Sequence, residues 1–423
     1  MATIPAPTSG RRKLSQAELD LVVDAHERLV TGRPGGKRAS MKFIDFSGLS
    51  LERRNLADAD LSASVFDGCR MAGADLQRAI LFGSDLRKAD LRGACLKRAD
   101  LRGACLRGAN LTDADLTQAD FREGQVAVPH PTKGLGSMRH EARAGIIDHA
   151  IFCGASLDGS QLDGASAFAT DFTDCSLRGA KLAGANLKDA NLTDAIMIGA
   201  DVSGANLEGA NLEGAMLSGV DVSRAKTSGA KLTSILREPS AEAEKRAPAA
   251  LAAARANHRW CESNGAEGAP AKLDGQDLRP LTDALKGLRL TAASLRGACL
   301  VGLDLSGAHL QGANLENADL RWSVLTGADL RGARLSGANL TKALLRDALI
   351  GALPLGGGRS TPAHLESARM RRAHVCSADL TGAILDHADL HGADFTGAIL
   401  TGASMKFAEL TAVIGLDHDA TTT

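Results

Sequence analysis

The sequence predicts an all-β solenoid, in which a chain of short extended segments winds around a narrow core. An apolar residue recurs at every fifth position over long stretches, and an alanine usually stands two places before it, as in Ala89-Asp90-Leu91. Hydrophobic content is an ordinary 44%, yet only 3% of residues are aromatic and tyrosine is absent. Because large rings dominate the cores of conventional globular domains, this composition favours a thin core of alanine and leucine, repeated many times.

A period of five fits neither regular element. On an α-helix, a step of five residues turns each leucine about 140° beyond one full turn, so the leucines form no common face. On a flat strand, an odd step places successive leucines on opposite sides. Alanine and leucine two apart do share one side of an extended segment. Each pentapeptide is therefore predicted to be a short extended piece followed by a corner, which a small residue such as Gly93 eases.

The repeated units ADLRG, ANLTD, ADLTQ, GANLE and GADLR resemble the A(D/N)LXX motif of pentapeptide-repeat proteins. The resemblance covers most of residues 41–232 and 273–410. It implies a right-handed quadrilateral β-helix with four pentapeptides in each coil. In such a fold, residues i and i+20 stack on the same face.

The chain divides into segments in which repeats alternate with interruptions. A capping box from Ser15 to Glu18 predicts a helix over about 15–30, and Pro248 suits the first turn of a second helix that runs to about Cys261. The predicted segments are a disordered N-terminus at 1–13, a helix and loop cap at 14–40, repeat run 1 at 41–126, a loop at 127–146, run 2 at 147–232, a linker with a helix at 233–272, run 3 at 273–350, a loop at 351–364, run 4 at 365–412, and a disordered tail at 413–423.

The two halves resemble each other, which indicates a tandem duplication of about 14–232 and 248–410. The alignment sets His26 beside His258, and each histidine is expected to pack its helix onto the first coil. The loop at 127–146 shifts the repeat by one residue, whereas the loop at 351–364 keeps the phase. A loop that bulges from a corner accommodates such a shift without breaking the stack.

Composition excludes several classes of function. The formal net charge of -1 provides no strong field for nucleic acid or a membrane surface. No apolar leader and no run of about 18 apolar residues occurs, so no membrane association is expected and a cytoplasmic location is predicted. The eight cysteines form no CxxC pair and are interpreted as reduced thiols.

No catalytic, cofactor-binding or metal-binding residue is predicted. The Asp or Asn before each leucine recurs in nearly every unit and is expected to form hydrogen bonds at corners. Three histidines near the C-terminus fall on different faces of the repeat, which disfavours a shared metal site: His374, His387 and His391.

The candidate interaction surface combines a basic belt with a basic loop. The belt is the set of cations just after inward leucines, Arg87, Arg92, Lys97, Arg102 and Arg107. The loop contributes His130, Lys133, Arg139, His140 and Arg143. The belt is either a solubility ring or a site for an acidic protein or phosphates, and the loop is either solvated or a binding element.

The leading functional hypothesis is a non-catalytic scaffold that binds an unidentified protein partner through its faces and loops. The resemblance offers an alternative, since some pentapeptide-repeat proteins mimic DNA and bind DNA gyrase. This chain departs from them in its length, its near-zero net charge and its C-terminal sequence, and only the run at 147–232 is acidic. Self-association between basic and acidic zones is a further alternative. Direct nucleic-acid binding and catalysis are disfavoured.

Overall fold

The structure is a computed structural model that describes residues 11–130 and 134–416. The chain forms two compact units, residues 1–238 and 239–423. Each unit has its own apolar core, which is built mainly from alanine and leucine at the predicted inward positions. Leu91 and Leu111, for example, are completely buried, which confirms the inward placement of the five-residue pattern.

Stacked coils give each unit its structure. Single-residue parallel bridges join residues 20 apart, as between Asp90 and Asn110. Leu91 N donates to Asn110 O at 2.7 Å, and Gly93 N donates to Thr112 O at 2.9 Å. Since each coil therefore contains 20 residues, it holds four pentapeptides.

A tight turn closes each pentapeptide. Ala94 N donates to Leu91 O at 3.0 Å, and Gly93 between them has φ of 62°. A positive φ at the third residue is the requirement of a type II turn, which explains why glycine is frequent there. Lys88 and Arg98 adopt the same conformation, with φ of 54° and 55°. The Ala–x–Leu unit is thus extended, and the two residues after leucine make the corner.

Regular helices and strands are few outside the bridges. The helices are α1 (Gln16–Val30) and α2 (Ala241–Glu262), with 3-10 turns at Val222–Arg224 and Arg279–Leu281. The strands are β1 (Arg12–Lys13), β2 (Ile44–Asp45), β3 (Gly124–His130), β4 (Gly134–Arg143), β5 (Leu353–Gly356) and β6 (Arg359–Thr361). β1 pairs with β2 in parallel, while β3–β4 and β5–β6 are antiparallel hairpins.

Both segments expected as loops contain these hairpins. Across the β3–β4 hairpin, Cys105 bridges Ile146, so an insertion of one coil plus 21 residues separates stacked positions. Across the β5–β6 hairpin, Arg334 bridges His364, 30 residues on. The stack continues past both insertions, as a bulge at a corner requires.

One inward position differs from the sequence expectation. Val126 was expected to end the first repeat run inside the core, but it lies in β3 on the outer side of a coil. Ile147 takes the core position instead and is fully buried. The one-residue phase shift accounts for the exchange, because it moves the next inward position to Ile147.

Helix α1 covers the first coil of the first unit. Ser15 caps its N-terminus, and the Glu18 side chain bonds back to Ser15 N at 2.9 Å. The helix buries Leu19, Val23 and His26. His26 Nε2 donates to Ala57 O at 2.9 Å, and its Nδ1 accepts from Ala39 N at 3.1 Å. The histidine therefore joins the helix to the coil backbone, as the sequence predicted.

Helix α2 corrects two expectations. It begins at Ala241 after the cap Ser240, so Pro248 lies inside the helix and not in its first turn. Asn257, rather than His258, occupies the place equivalent to His26: its Oδ1 accepts from Ala271 N at 2.6 Å. The helical alignment was thus one residue off, because Asn257 supplies the same acceptor from the next position. His258 instead accepts from Arg289 N at 3.0 Å.

The two ends expected to be disordered are described only in part. Residues 1–10 and 417–423 lie outside the described residues. Arg12–Lys13 forms β1, and Ile414 bridges Asp394, so both ordered structure and repeat stacking extend into these segments.

Candidate interaction surface

The belt cations occupy the outward position after the buried leucine, as predicted, but each is paired with a carboxylate. Arg87, Arg92 and Arg102 bind Asp85, Asp90 and Asp100, with closest N–O distances of 2.6, 2.6 and 2.7 Å. The partner is always the aspartate two residues earlier.

These Asp-x-Arg pairs have a common geometry, which we call the fork. In the Arg92 fork, Asp90 Oδ1 accepts from Arg92 N at 3.3 Å and from Nε at 2.8 Å, and Oδ2 accepts from NH2 at 2.6 Å. A planar guanidinium suits such bidentate binding. The bond from Arg92 holds the pKa of Asp90 below its ordinary value, and the same bond raises the pKa of Arg92.

The other two belt cations pair between coils. Lys97 binds Asp115 at 3.0 Å, and Arg107 binds Asp148 across the first insertion at 2.9 Å. The belt therefore consists of local ion pairs, and its charges are largely neutralised at the surface.

The base of the β3–β4 hairpin is fixed to one face of the first unit. Arg143 Nε donates to Gly103 O at 2.5 Å, and its NH2 donates to Gly83 O at 2.7 Å. Burial lowers the pKa of Arg143. Val126 packs beside the same two glycines, where an added Cβ would lie 2.7 Å (Gly83) or 2.6 Å (Gly103) from a valine methyl.

Aromatic and cationic side chains complete this contact. A Cβ at Gly124 would lie 2.6 Å from the Phe82 ring, so the backbone of β3 runs close against that ring. The Arg102 guanidinium lies 5.5 Å from the Phe82 centroid. The structure thus brings Arg102 and Arg143, which are far apart in sequence, to the same face.

The remaining predicted loop residues lie further along the hairpin. Arg139 and His140 are exposed, and Arg139 binds Glu141 at 2.5 Å. His140 is opposite Ala127 in the strand register. His130 pairs with Gly134 through its backbone, and its side chain is outside the description; Lys133 lies outside the described residues.

Sequence reasoning missed a compact trio in the second unit. His374, Cys376 and Asp394 place a nitrogen, a sulfur and an oxygen within 4.8 Å of one another. Burial and the hydrogen bond to Asp394 raise the pKa of the Cys376 thiol. The signal was present in the sequence, since His374 and Asp394 are one 20-residue coil apart, but only histidines were compared.

Comparison with protein families decides the classification. The model for pentapeptide repeats matches segments that together exceed half of the chain: 44–83, 55–93, 94–125, 170–209, 195–233, 289–327, 308–347, 363–397 and 378–414. The chain belongs to the pentapeptide-repeat family. The matches fall on the stacked coils and leave out both hairpins and both helices, so these four elements are additions to the family repeat.

Solved pentapeptide-repeat structures resemble this chain. QnrB1, described as a plasmid-mediated fluoroquinolone resistance protein, is 15% identical, with 46% of this chain and 93% of that chain covered and a TM-score of 0.28. HetL from the cyanobacterium Nostoc, involved in heterocyst differentiation regulation, is 22% identical over 93% and 97% of the two chains, with a TM-score of 0.15.

A family member from the Arabidopsis thaliana thylakoid lumen is 34% identical, with 20% of this chain and 67% of that chain covered and a TM-score of 0.18. No curated protein sequence matches the chain. Among the described residues, none of the helices has the length and apolar character needed to cross a bilayer.

Proposed function

We propose that the protein is a non-catalytic scaffold, with each unit a right-handed, four-sided β-helix, and that it binds a protein partner through the β3–β4 hairpin. One observation carries the proposal: the base of the hairpin is anchored by Arg143 while Arg139 and His140 further along are exposed. A rigidly held element that projects polar side chains is suited to recognition.

The rest of the surface supports this choice of element. Alanine and leucine fill the interior of each coil, and the belt arginines are held in forks. Side chains already fixed by local bonds contribute less to a new contact than exposed groups on a projecting hairpin. The partner is proposed to be a protein because the hairpin offers an extended, mixed polar surface.

A cytoplasmic location is part of the proposal. All eight cysteines are free thiols, although several are partly accessible. Chains that function in oxidising compartments usually pair such residues.

Removal of the hairpin tests the proposal. Deletion of residues 124–144 joins Glu123 to Gly145 and restores the 20-residue spacing between Cys105 and Ile146. We expect the deletion variant to fold and to lose a partner that the full-length protein captures in a quantitative crosslinking and pull-down comparison. The control is Arg92→Ala, which alters the belt and should keep the partner. Equal capture by the deletion variant would remove the hairpin as the binding element.

The design includes a matched negative. Deletion of residues 125–144 removes one residue fewer and leaves six residues between Phe121 and Ile147. Because an odd residue disturbs the inward pattern, we expect this variant to be less stable than the first in thermal unfolding.

A second proposal is modulation of DNA gyrase through the acidic run at 147–232. Exposed carboxylates favour it, as at Asp189 and Glu213, which are spaced along the coils. A supercoiling assay with purified protein decides: inhibition or protection of gyrase supports this function, and no effect at micromolar protein removes it.

A further inference from the structure

Three potential metal ligands meet on the outer surface of the second unit. The imidazole of His374, the thiol of Cys376 and the carboxylate of Asp394 lie with their ligand atoms within 4.8 Å of one another. They combine one nitrogen, one sulfur and one oxygen, and they come from two successive coils.

The repeat itself brings them together. His374 and Cys376 flank Val375, which points into the core and is fully buried. Neighbours of an inward residue in an extended segment point outward. His374 bridges Asp394 in parallel, and Val375 N donates to Asp394 O at 2.8 Å, so the aspartate stacks directly on the histidine of the neighbouring coil.

The two oxygens of Asp394 have different roles. Oδ1 holds the turn, since it accepts from Thr396 N at 2.9 Å and from Thr396 Oγ1 at 2.5 Å. Oδ2 lies 3.1 Å from Cys376 Sγ and accepts the thiol proton. A cation between Oδ2 and Sγ would replace that proton without disturbing the turn.

We propose that His374, Cys376 and Asp394 bind Zn²⁺, with water in the fourth position. Zinc takes sulfur, nitrogen and oxygen ligands in tetrahedral sites, and three protein ligands leave one position open. Hard cations such as Mg²⁺ and Ca²⁺ prefer oxygen ligands alone and do not suit this set. On binding, the Cys376 S–H bond breaks, the sulfur lone pair binds zinc, and the proton passes to solvent.

The electrostatic balance favours a dication. The thiolate and carboxylate together supply two negative charges, which neutralise Zn²⁺. Arg346 of the preceding coil is the cation nearby that acts on Cys376 and opposes binding. A metal held by two successive coils would also link them, so zinc is expected to stabilise this part of the second unit.

Cobalt substitution tests the site in the full-length, reduced protein after removal of metals with a chelator. We expect Co²⁺ to bind with one-to-one stoichiometry, to give a sulfur-to-cobalt charge-transfer absorption, and to be displaced by Zn²⁺. Cys376→Ser should abolish the absorption. His374→Ala and Asp394→Asn should weaken binding by about tenfold or more, since even outer partners of metal ligands have effects of this size.

Matched controls separate this site from other thiols and histidines. Cys299→Ser and His387→Ala should leave the absorption and the affinity unchanged. His374 is exposed, and Asp394→Asn keeps an oxygen for the turn, so these two variants report on the site even if Cys376→Ser fails to fold. Absence of saturable binding, or an unchanged absorption in Cys376→Ser, would overturn the proposal.

Discussion

Paired charges define the outer surface at the scale of single residues. In each fork, one carboxylate binds both the backbone and the guanidinium of the residue two places on, as Asp100 does with Arg102. The bond holds the corner and neutralises the arginine at once. This explains how a surface rich in arginine belongs to a chain of net charge -1.

Adjacent substitutions at Leu101 and Arg102 should differ sharply. Leu101→Asp places a charge in a completely buried site and should prevent stable folding of the first unit. Arg102→Ala removes a half-exposed ion pair, so the loss should stay below about 1 kcal/mol. Chemical unfolding of both variants measures the contrast. A large loss for Arg102→Ala would show that the fork is a main stabilising element.

Glu18 provides a pH-dependent test at the start of α1. Hydrogen bonds from Ser15 and Arg12 lower the pKa of Glu18 from 4.5 to about 2. A carboxyl with a depressed folded-state pKa stabilises the helix above pH 4.5 and loses this effect as pH falls toward 2. Hydrogen exchange of α1 amides should therefore show Glu18→Gln destabilised near neutral pH and equal to the parent near pH 2. A constant difference over this range would contradict the assignment.

The sequence predicted residue roles well where a single local bond decides them. The Asp before each leucine was expected to bond at corners, and Asp90 does so. The forks were not predicted, because the direction of an arginine side chain depends on the rotamer and not on the repeat pattern. The trio of His374, Cys376 and Asp394 was missed for a different reason, since its members come from two coils and three residue types.

At the scale of elements, the β3–β4 hairpin depends on glycine in the coils beneath it. Gly83 and Gly103 are buried by Val126, whereas Gly93 has the same backbone conformation and no atom near its missing Cβ. The same residue type thus serves the turn at one position and both the turn and the hairpin at the others.

Gly103→Ala and Gly93→Ala form a matched pair. Gly93→Ala should cost about 1 kcal/mol, since alanine disfavours the left-handed conformation. Gly103→Ala adds a clash with Val126 and should cost about 1–3 kcal/mol more. Urea unfolding measures both, and exchange of the β3 and β4 amides should rise only in Gly103→Ala. Equal losses would mean that the hairpin does not rest on Gly103.

Local signals predicted elements better than distant contacts could. α1 follows from its capping box at Ser15 and Glu18. The start of α2 was placed too late, because Pro248 is typical of a first turn but α2 is capped earlier by Ser240. Neither hairpin was predicted, since the contacts of Val126 and Arg143 with glycines far back in the chain give no periodic signal.

At the scale of the whole molecule, two cores contribute separately to stability. The first unit and the second unit each contain one continuous apolar cluster. In repeat proteins, stability is approximately the sum of the contributions of single repeats and their nearest neighbours. A cavity in one cluster should therefore act mainly on that cluster.

Leu101→Ala and Leu310→Ala test this separation. Both leucines are completely buried, one in each cluster, and each truncation should cost about 2–5 kcal/mol. Hydrogen exchange measured by mass spectrometry should show faster exchange in the altered unit and little change in the other. Uniform acceleration across both units in either variant would indicate a single cooperative structure.

The 20-residue spacing of the bridges also has a genetic consequence. Each coil corresponds to a block of twenty codons, and neighbouring blocks encode similar units. Unequal recombination between such blocks adds or removes a complete coil and leaves every inward leucine in register. The length of each unit can thus change in one step while its interior remains intact.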